Sequence, residues 1–218
     1  MKLGILGGTF DPIHLGHLRT AEEIGQELGL EKVYLIPSAS PPHKTKAPVA
    51  PFHHRLAMAR LAVETSSLLD VLDLEGKRAG LSYSIETLKV IHRLFSPNPE
   101  LFFILGIDAF QEIKTWKDYK GLFNYAHFVI INRAGFQSHD LERFLSRLGL
   151  KAGKAKAPDI FIAPSGNTVV LMTSTRIDIS STRIRELISE GKSIRFLLPE
   201  PVRDYIHEKG LYGKDANP

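Results

Sequence analysis

Short continuous apolar runs and longer stretches with apolar residues at helical spacing take turns along this chain. Residues 3–6 make the first run, and Leu18, Ala21, Ile24 and Leu28 then fall on one face of a helix. Residues 33–36 (Val-Tyr-Leu-Ile) predict a second strand, which Pro37 stops. Residues 53–65 carry a helical pattern on which Arg55 and Arg60 read as exposed, and residues 69–74 read as a strand. Residues 83–95 place Ile85, Leu88, Ile91, Leu94 and Phe95 on one helix, with Ser82 or Ser84 as its N-cap. Residues 101–105 (Leu-Phe-Phe-Ile-Leu) are apolar throughout, as a central strand covered on both faces requires. Further strands are expected at 126–132, 160–163 and 169–172, and further helices at 140–148, from Ser180 onward, and after Pro199 and Pro201 to about Lys209. Such alternation argues an α/β fold, a doubly wound parallel sheet with helices on both faces. At 218 residues the length suits one domain over 1–218, with the helical part near 180–212 packed on it. Residues 149–158, rich in Gly, Ala and Lys, read as a surface link.

The turn between the first strand and the first helix concentrates the chemistry. It reads Gly7-Gly8-Thr9-Phe10-Asp11-Pro12-Ile13-His14-Leu15-Gly16-His17. A turn beyond the carboxyl end of a strand is where open α/β sheets bind ligands, and a helix start offers N–H groups and positive dipole to an anion. Glycines at 7 and 8 let a phosphate approach the backbone, and His14 and His17, three apart, can point at the same anion. A plain tight turn would also use Gly-Gly. Metal ligation by the two histidines would need further ligands that no nearby spacing supplies. The other phosphate motifs are absent: there is no G-x-G-x-x-G, and Gly191-Lys192-Ser193 has Glu186 where a P-loop needs its first glycine.

Other candidates lie on the same edge. His43 and Lys44 sit in the proline-rich loop after the second strand, and Gly106-Ile107-Asp108 follows the central strand. Asp108 can also be read as the cap of a short helix. Arg133 ends another strand and could reach a phosphate or simply face solvent. Trp116, the only tryptophan, stands among Lys114, Thr115, Lys117 and Asp118, a setting that favours stacking on a ligand over a place in the core.

Composition narrows the partners. A net charge of +4 suits an anionic ligand, but no lysine or arginine block is interleaved with aromatics, so nucleic acid is not expected. The absence of cysteine removes a disulfide framework. No apolar run nears the roughly 20 residues that cross a bilayer, and the first residues lack a signal-peptide core, so the expected place is the cytoplasm, away from membranes. Nothing in the pattern decides whether the chain forms a homo-oligomer.

The G-x-F-x-P-x-H-x-G-H pattern of Gly8, Phe10, Pro12, His14, Gly16 and His17 resembles the signature of the H-x-G-H nucleotidyltransferase superfamily, and residues 179–185 (Ile-Ser-Ser-Thr-Arg-Ile-Arg) resemble its second signature, I-S-S-T-x-I-R. Pro41-Pro42-His43-Lys44, Ser82-Tyr83-Ser84, Gly106-Ile107-Asp108 and Trp116 between them are similar to one branch, nicotinate-nucleotide adenylyltransferase. One departure is Ser84, where that branch usually carries threonine. The resemblance implies a Rossmann-like sheet of nucleotidyltransferase type and adenylyl transfer from ATP, with Mg²⁺, to nicotinate mononucleotide in NAD biosynthesis. It implies that Gly7, Gly8, Thr9, Phe10, His14, His17, Gly106, Asp108, Ser180, Thr182 and Arg185 bind ATP, Asp108 near its sugar. His14, His17 and Arg185 would serve catalysis, and His43, Lys44, Ser84, Trp116 and Arg133 the acceptor. The attacking group would be a phosphate, already anionic, so no general base is needed and none is evident. Another adenylyl- or cytidylyltransferase, acting on phosphopantetheine or nicotinamide mononucleotide, or a non-catalytic nucleotide sensor, would share much of this pattern.

Overall fold

A computed structural model describes residues 1–40, 49–78, 80–97, 99–132, 138–148, 153–154 and 160–213. The sheet is laid down by β1 (Lys2–Gly8), β2 (Lys32–Pro37), β3 (Leu69–Val71), β4 (Glu100–Gly106), β5 (His127–Ile131), β6 (Gly153–Lys154), β7 (Ile160–Ile162) and β8 (Thr168–Met172). Its order is β3-β2-β1-β4-β5-β8-β7-β6. β1 pairs with β2 on one side and β4 on the other, all parallel, so the winding reverses at the carboxyl ends of β1 and β4.

The central strands are apolar throughout because both faces are covered. On β4, Leu101, Phe103 and Leu105 enter one core while Phe102 and Ile104 enter the other, the two-residue period of a strand sorting one run into two layers. Ile85, Leu88 and Ile91 from α3 (Ser84–Leu94), Leu122 and Phe123 from α5 (Tyr119–Tyr125), and Leu141 and Leu145 from α6 (Ser138–Arg147) pack on the first face. Ala21 and Ile24 from α1 (Leu15–Glu27), Met58 and Ala59 from α2 (Phe52–Val63), Ile184 from α7 (Ser181–Ser189), and Val202 and Ile206 from α8 (Glu200–Glu208) pack on the second. A short α4 (Ile107–Gln111) and a 3-10 turn (Ile113–Thr115) join β4 to α5.

Several expectations need correction. The sheet is not parallel to its end: β7 runs antiparallel to β8 and to β6. Its connection to β8 is a tight turn in which the Ala163 amide bonds the Asn167 carbonyl at 2.8 Å and Gly166 takes φ +92°. β3 stops at Val71, short of the expected 74. α5 was not expected; it starts where the Asp118 carboxylate accepts the Gly121 amide. The N-cap of α3 is Tyr83, with Ser84 its first helical residue. Ser82 instead accepts the amides of Ala39 and Ser40 at 3.0 and 3.1 Å, tying the approach to α3 onto the segment after β2. Arg55, expected at the surface, is 2% exposed. The link expected at 149–158 contains β6, and its other residues lie outside the described ones.

Candidate active site

A cavity of about 370 Å³ opens over the carboxyl ends of β1, β2 and β4, at the reversal of winding. Its lining brings together Gly7, Gly8, Thr9 and His17 from the turn after β1, Gly106 from the end of β4, Ser84 from the start of α3, and Trp116 and Lys117.

The histidine turn is held from beneath. His14 is the extended N-cap of α1 (φ −148°, ψ 171°) and is 6% exposed. Its amide donates to His17 Nδ1 at 3.3 Å, so a neutral His17 carries its proton on Nε2. The two imidazoles stack at 3.7 Å with 25° between planes, and Phe10 meets His17 edge-on at 5.1 Å. Two glycines make this packing feasible. A Cβ on Gly16 would come within 3.1 Å of the His14 ring, and one on Gly8 within 2.8 Å of the Phe10 ring. Gly8 therefore has a packing duty beside any ligand contact. Phe10 itself is 2% exposed at φ +49° and is not among the residues that line the cavity, so its ring is a prop for His17.

The second signature docks on the first. The Ser181 hydroxyl donates to the Pro12 carbonyl at 2.9 Å, and Arg185 Nη1 donates to the Asp11 carbonyl at 2.7 Å and lies 3.6 Å from its carboxylate. Ser180 caps α7 by accepting the Arg183 amide. Asp11 is buried and also accepts the Ala50 amide and, at 2.7 Å, the Tyr212 hydroxyl. Burial, with the Asp11 carboxylate next in weight, pushes the Tyr212 phenol far above its usual value.

Arg55 was missed by sequence reasoning. Its guanidinium donates to the carbonyls of Ala50, Thr9 and Ser38 at 2.7–2.8 Å and of Ala39 at 3.3 Å, so one side chain joins β1's turn, the exit of β2 and the approach to α2. Burial lowers its pKa, and the charges of Asp11, Tyr212 and Glu75 oppose that shift. No local signal marks it, because its partners are backbone carbonyls remote in sequence.

Around Trp116 the cavity is built from side chains. Trp116 packs edge-on against Phe103 at 6.2 Å and stays half-buried. Lys117 Nζ sits 4.6 Å above the Tyr83 ring and 3.4 Å from Glu86. Glu75, 8% exposed, accepts the Thr87 hydroxyl at 2.8 Å, and its second oxygen has no hydrogen-bond partner among the described residues.

Of the expected site residues, Gly7, Gly8, Thr9, His17, Ser84, Gly106 and Trp116 line one cavity. His14 lies behind His17. Ser180, Thr182 and Arg185 stand outside the cavity lining. Arg185 bonds Asp11 of the first motif and also donates to the Thr182 hydroxyl, Ser180 caps α7, and the bond to Pro12 comes from the neighbouring Ser181. Asp108 is exposed on the first turn of α4. His43, Lys44 and Arg133 lie outside the described residues. Among those described, no three His, Asp or Glu side chains converge to hold a metal ion.

Residues 5–187 match the cytidylyltransferase-like family. A Desulfatibacillum aliphaticivorans protein named "Probable nicotinate-nucleotide adenylyltransferase" is 46% identical over 97% of this chain and 100% of its own. A Geotalea daltonii protein of the same name is 42% identical over 97% and 98%. The chain belongs to the nicotinate-nucleotide adenylyltransferase family. The Plasmodium falciparum nicotinic acid mononucleotide adenylyltransferase complexed with NaAD superposes with a TM-score of 0.73 over 97% of both chains, at 21% identity, a likeness of fold. No described helix is long and apolar enough to cross a membrane.

Proposed function

We propose that this chain transfers the adenylyl group of MgATP to nicotinate mononucleotide, releasing pyrophosphate and forming the deamido dinucleotide in NAD biosynthesis. The observation that carries the reading is that a single cavity is lined both by the His17 turn and by Trp116 and the start of α3. A triphosphate at one end and a pyridine nucleotide at the other would bring two phosphates together over Gly7–Thr9.

The acceptor phosphate attacks the α-phosphorus, the bond to the β-phosphate oxygen breaks, and pyrophosphate leaves with that electron pair. Because the nucleophile is already an anion, catalysis amounts to aligning two repelling groups and receiving the charge that develops on the oxygens. His17, with its proton on Nε2, donates to those oxygens. Amides of the 7–10 turn add dipoles, and His14 fixes the His17 ring. Ser180, Thr182 and the outer part of Arg185 take the distal phosphates, Asp108 the ATP ribose, and His43, Lys44 and Arg133 the acceptor phosphate. Magnesium would arrive with the triphosphate and offset its charge. Trp116 stacks on the pyridine, and the Ser84 end of α3 serves its carboxylate. The contacts of Ser181, Arg185 and Tyr212 with the 11–12 turn favour one working unit over residues 1–218, acting in the cytoplasm as a monomer or a homo-oligomer without nucleic acid.

Pyrophosphate release with ATP, measured beside nicotinate mononucleotide, nicotinamide mononucleotide and phosphopantetheine, tests this. Turnover is expected chiefly with the first. Preference for phosphopantetheine, or no release with any acceptor, would overturn it.

A further inference from the structure

Lys117 is the one lysine or arginine among the described residues that line the cavity. It follows Trp116 directly, and its ammonium is seated on a ring: Nζ lies 4.6 Å from the centre of Tyr83. Tyr83 is the N-cap of α3 and Ser84 its first residue, so the ring that carries the ammonium belongs to the residue that opens this helix. An ammonium and the positive end of a helix dipole therefore share one end of the cavity. Two carboxyls stand nearby, and one of them, Glu75, lines the cavity with its Oε2 lacking a hydrogen-bond partner among the described residues. Glu86, in the first turn of α3, lies 3.4 Å from the same Nζ, and Glu75 accepts the Thr87 hydroxyl.

Pyridine carboxylate and pyridine carboxamide have nearly the same outline and differ by one charge. Shape alone separates such a pair poorly, and a charge-sensitive group separates it better. We propose that Lys117 is a specificity residue whose ammonium supplies counter-charge to the carboxylate of the acceptor mononucleotide, with Glu86 as the competing anion that holds it in the free protein. This rests on the reading that the acceptor is nicotinate mononucleotide. It assigns selection to a side chain in addition to the helix start.

The two partners give the proposal opposite signs. Lys117→Met removes the cation, and the ratio of kcat/KM for nicotinate over nicotinamide mononucleotide should fall about fivefold, the upper range for a partly exposed ion pair. Glu86→Gln releases the ammonium from its competitor, and the ratio should rise about twofold. Lys117→Arg keeps the charge and should hold the ratio near wild type. Raising the salt to 0.5 M should shrink both shifts, because exposed charges are screened within a few ångströms there. A ratio is insensitive to how much of a variant is folded, so poor folding cannot imitate these outcomes. A wild-type preference that survives Lys117→Met, or falls with Glu86→Gln, overturns the role of Lys117 alone. A wild type that turns over both mononucleotides equally overturns the acceptor reading and this assignment with it.

Discussion

Around the histidine turn the shaping side chains are bonded to backbone and largely buried, whereas around Trp116 they rest on rings near solvent. Arg55 reaches four carbonyls on three segments, Asp11 accepts from Ala50 and Tyr212, and Arg185 closes on the Asp11 carbonyl. Trp116 has one edge contact with Phe103, and Lys117 has an aromatic seat and an exposed ion pair. The contrast matches what each end is asked to do. Donors aimed at a transferring phosphate lose their value if they must reorganise during the reaction, so they need an over-determined frame. Groups that only choose between acceptors can be looser, since selection requires a difference in affinity and not a fixed transition-state geometry.

Breaking the frame should have the largest effect. Arg55→Ala strips four carbonyls of a buried donor, and stability should drop by about 3–5 kcal/mol, the scale of losing one partner from a buried charged network. Arg55→Lys keeps a charge but not the planar fork and should recover only part of this. Urea unfolding of the three proteins measures it. A loss near 0.5 kcal/mol for Arg55→Ala would mean that the turns keep their positions without it.

The second largest effect belongs to the donor on that frame. His17→Asn keeps a side-chain acceptor for the His14 amide while removing the outward N–H. Turnover should fall about 10²-fold with the KM for ATP little changed, the pattern for an interaction made mainly in the transition state. His17→Ala should fall at least as far. Unchanged kcat in both would take His17 out of the reaction.

The unequal construction also explains what the sequence disclosed. β1 and β4 announce themselves because strands buried on both faces must be apolar throughout, and the glycine-rich turn between a strand and a helix points to an anion. The antiparallel β7 and β8 were legible by another rule: only residues 163–167 separate them, far short of the dozen a parallel crossover needs. A three-residue apolar run carries no direction, and the short connection is the signal that does. Arg55 left no trace, since carbonyls are identical in every residue. The reason for Gly8 was only half visible, because the Phe10 ring that excludes a Cβ folds back under the turn at positive φ. Trp116 could be singled out by its polar neighbours, but the Lys117–Tyr83 contact joins α3 to the segment after α4, a pairing that no local period encodes.

A smaller break lies at the margin of the frame. Tyr212→Phe leaves Asp11 without its closest donor while the Ala50 amide remains, and it should cost about 1–2 kcal/mol in urea unfolding. If the C-terminal clamp steadies the histidine turn, kcat should fall a few-fold in the same variant. Equal stability and turnover would show that α8 and its extension only cover the site.

The mildest substitution is the one that best separates the two ends. Trp116 lies against Phe103, and Phe103 is itself braced edge-on by Phe128 at 5.6 Å, so Trp116→Ala removes a face for stacking while the core beneath stays filled. The KM for nicotinate and nicotinamide mononucleotides should rise together by about fivefold, near the 1 kcal/mol expected of an aromatic pair, with kcat and the KM for ATP nearly unchanged. Stacking is indifferent to the ring's substituent, so the ratio between the two acceptors should hold, in contrast to the shift expected from Lys117→Met. A Trp116→Ala variant that loses the ratio would mean that the indole orients the carboxylate as well as the ring. A variant with normal KM for both would place the pyridine elsewhere in the cavity, and the division of labour between a rigid reacting end and an adjustable selecting end would have to be redrawn.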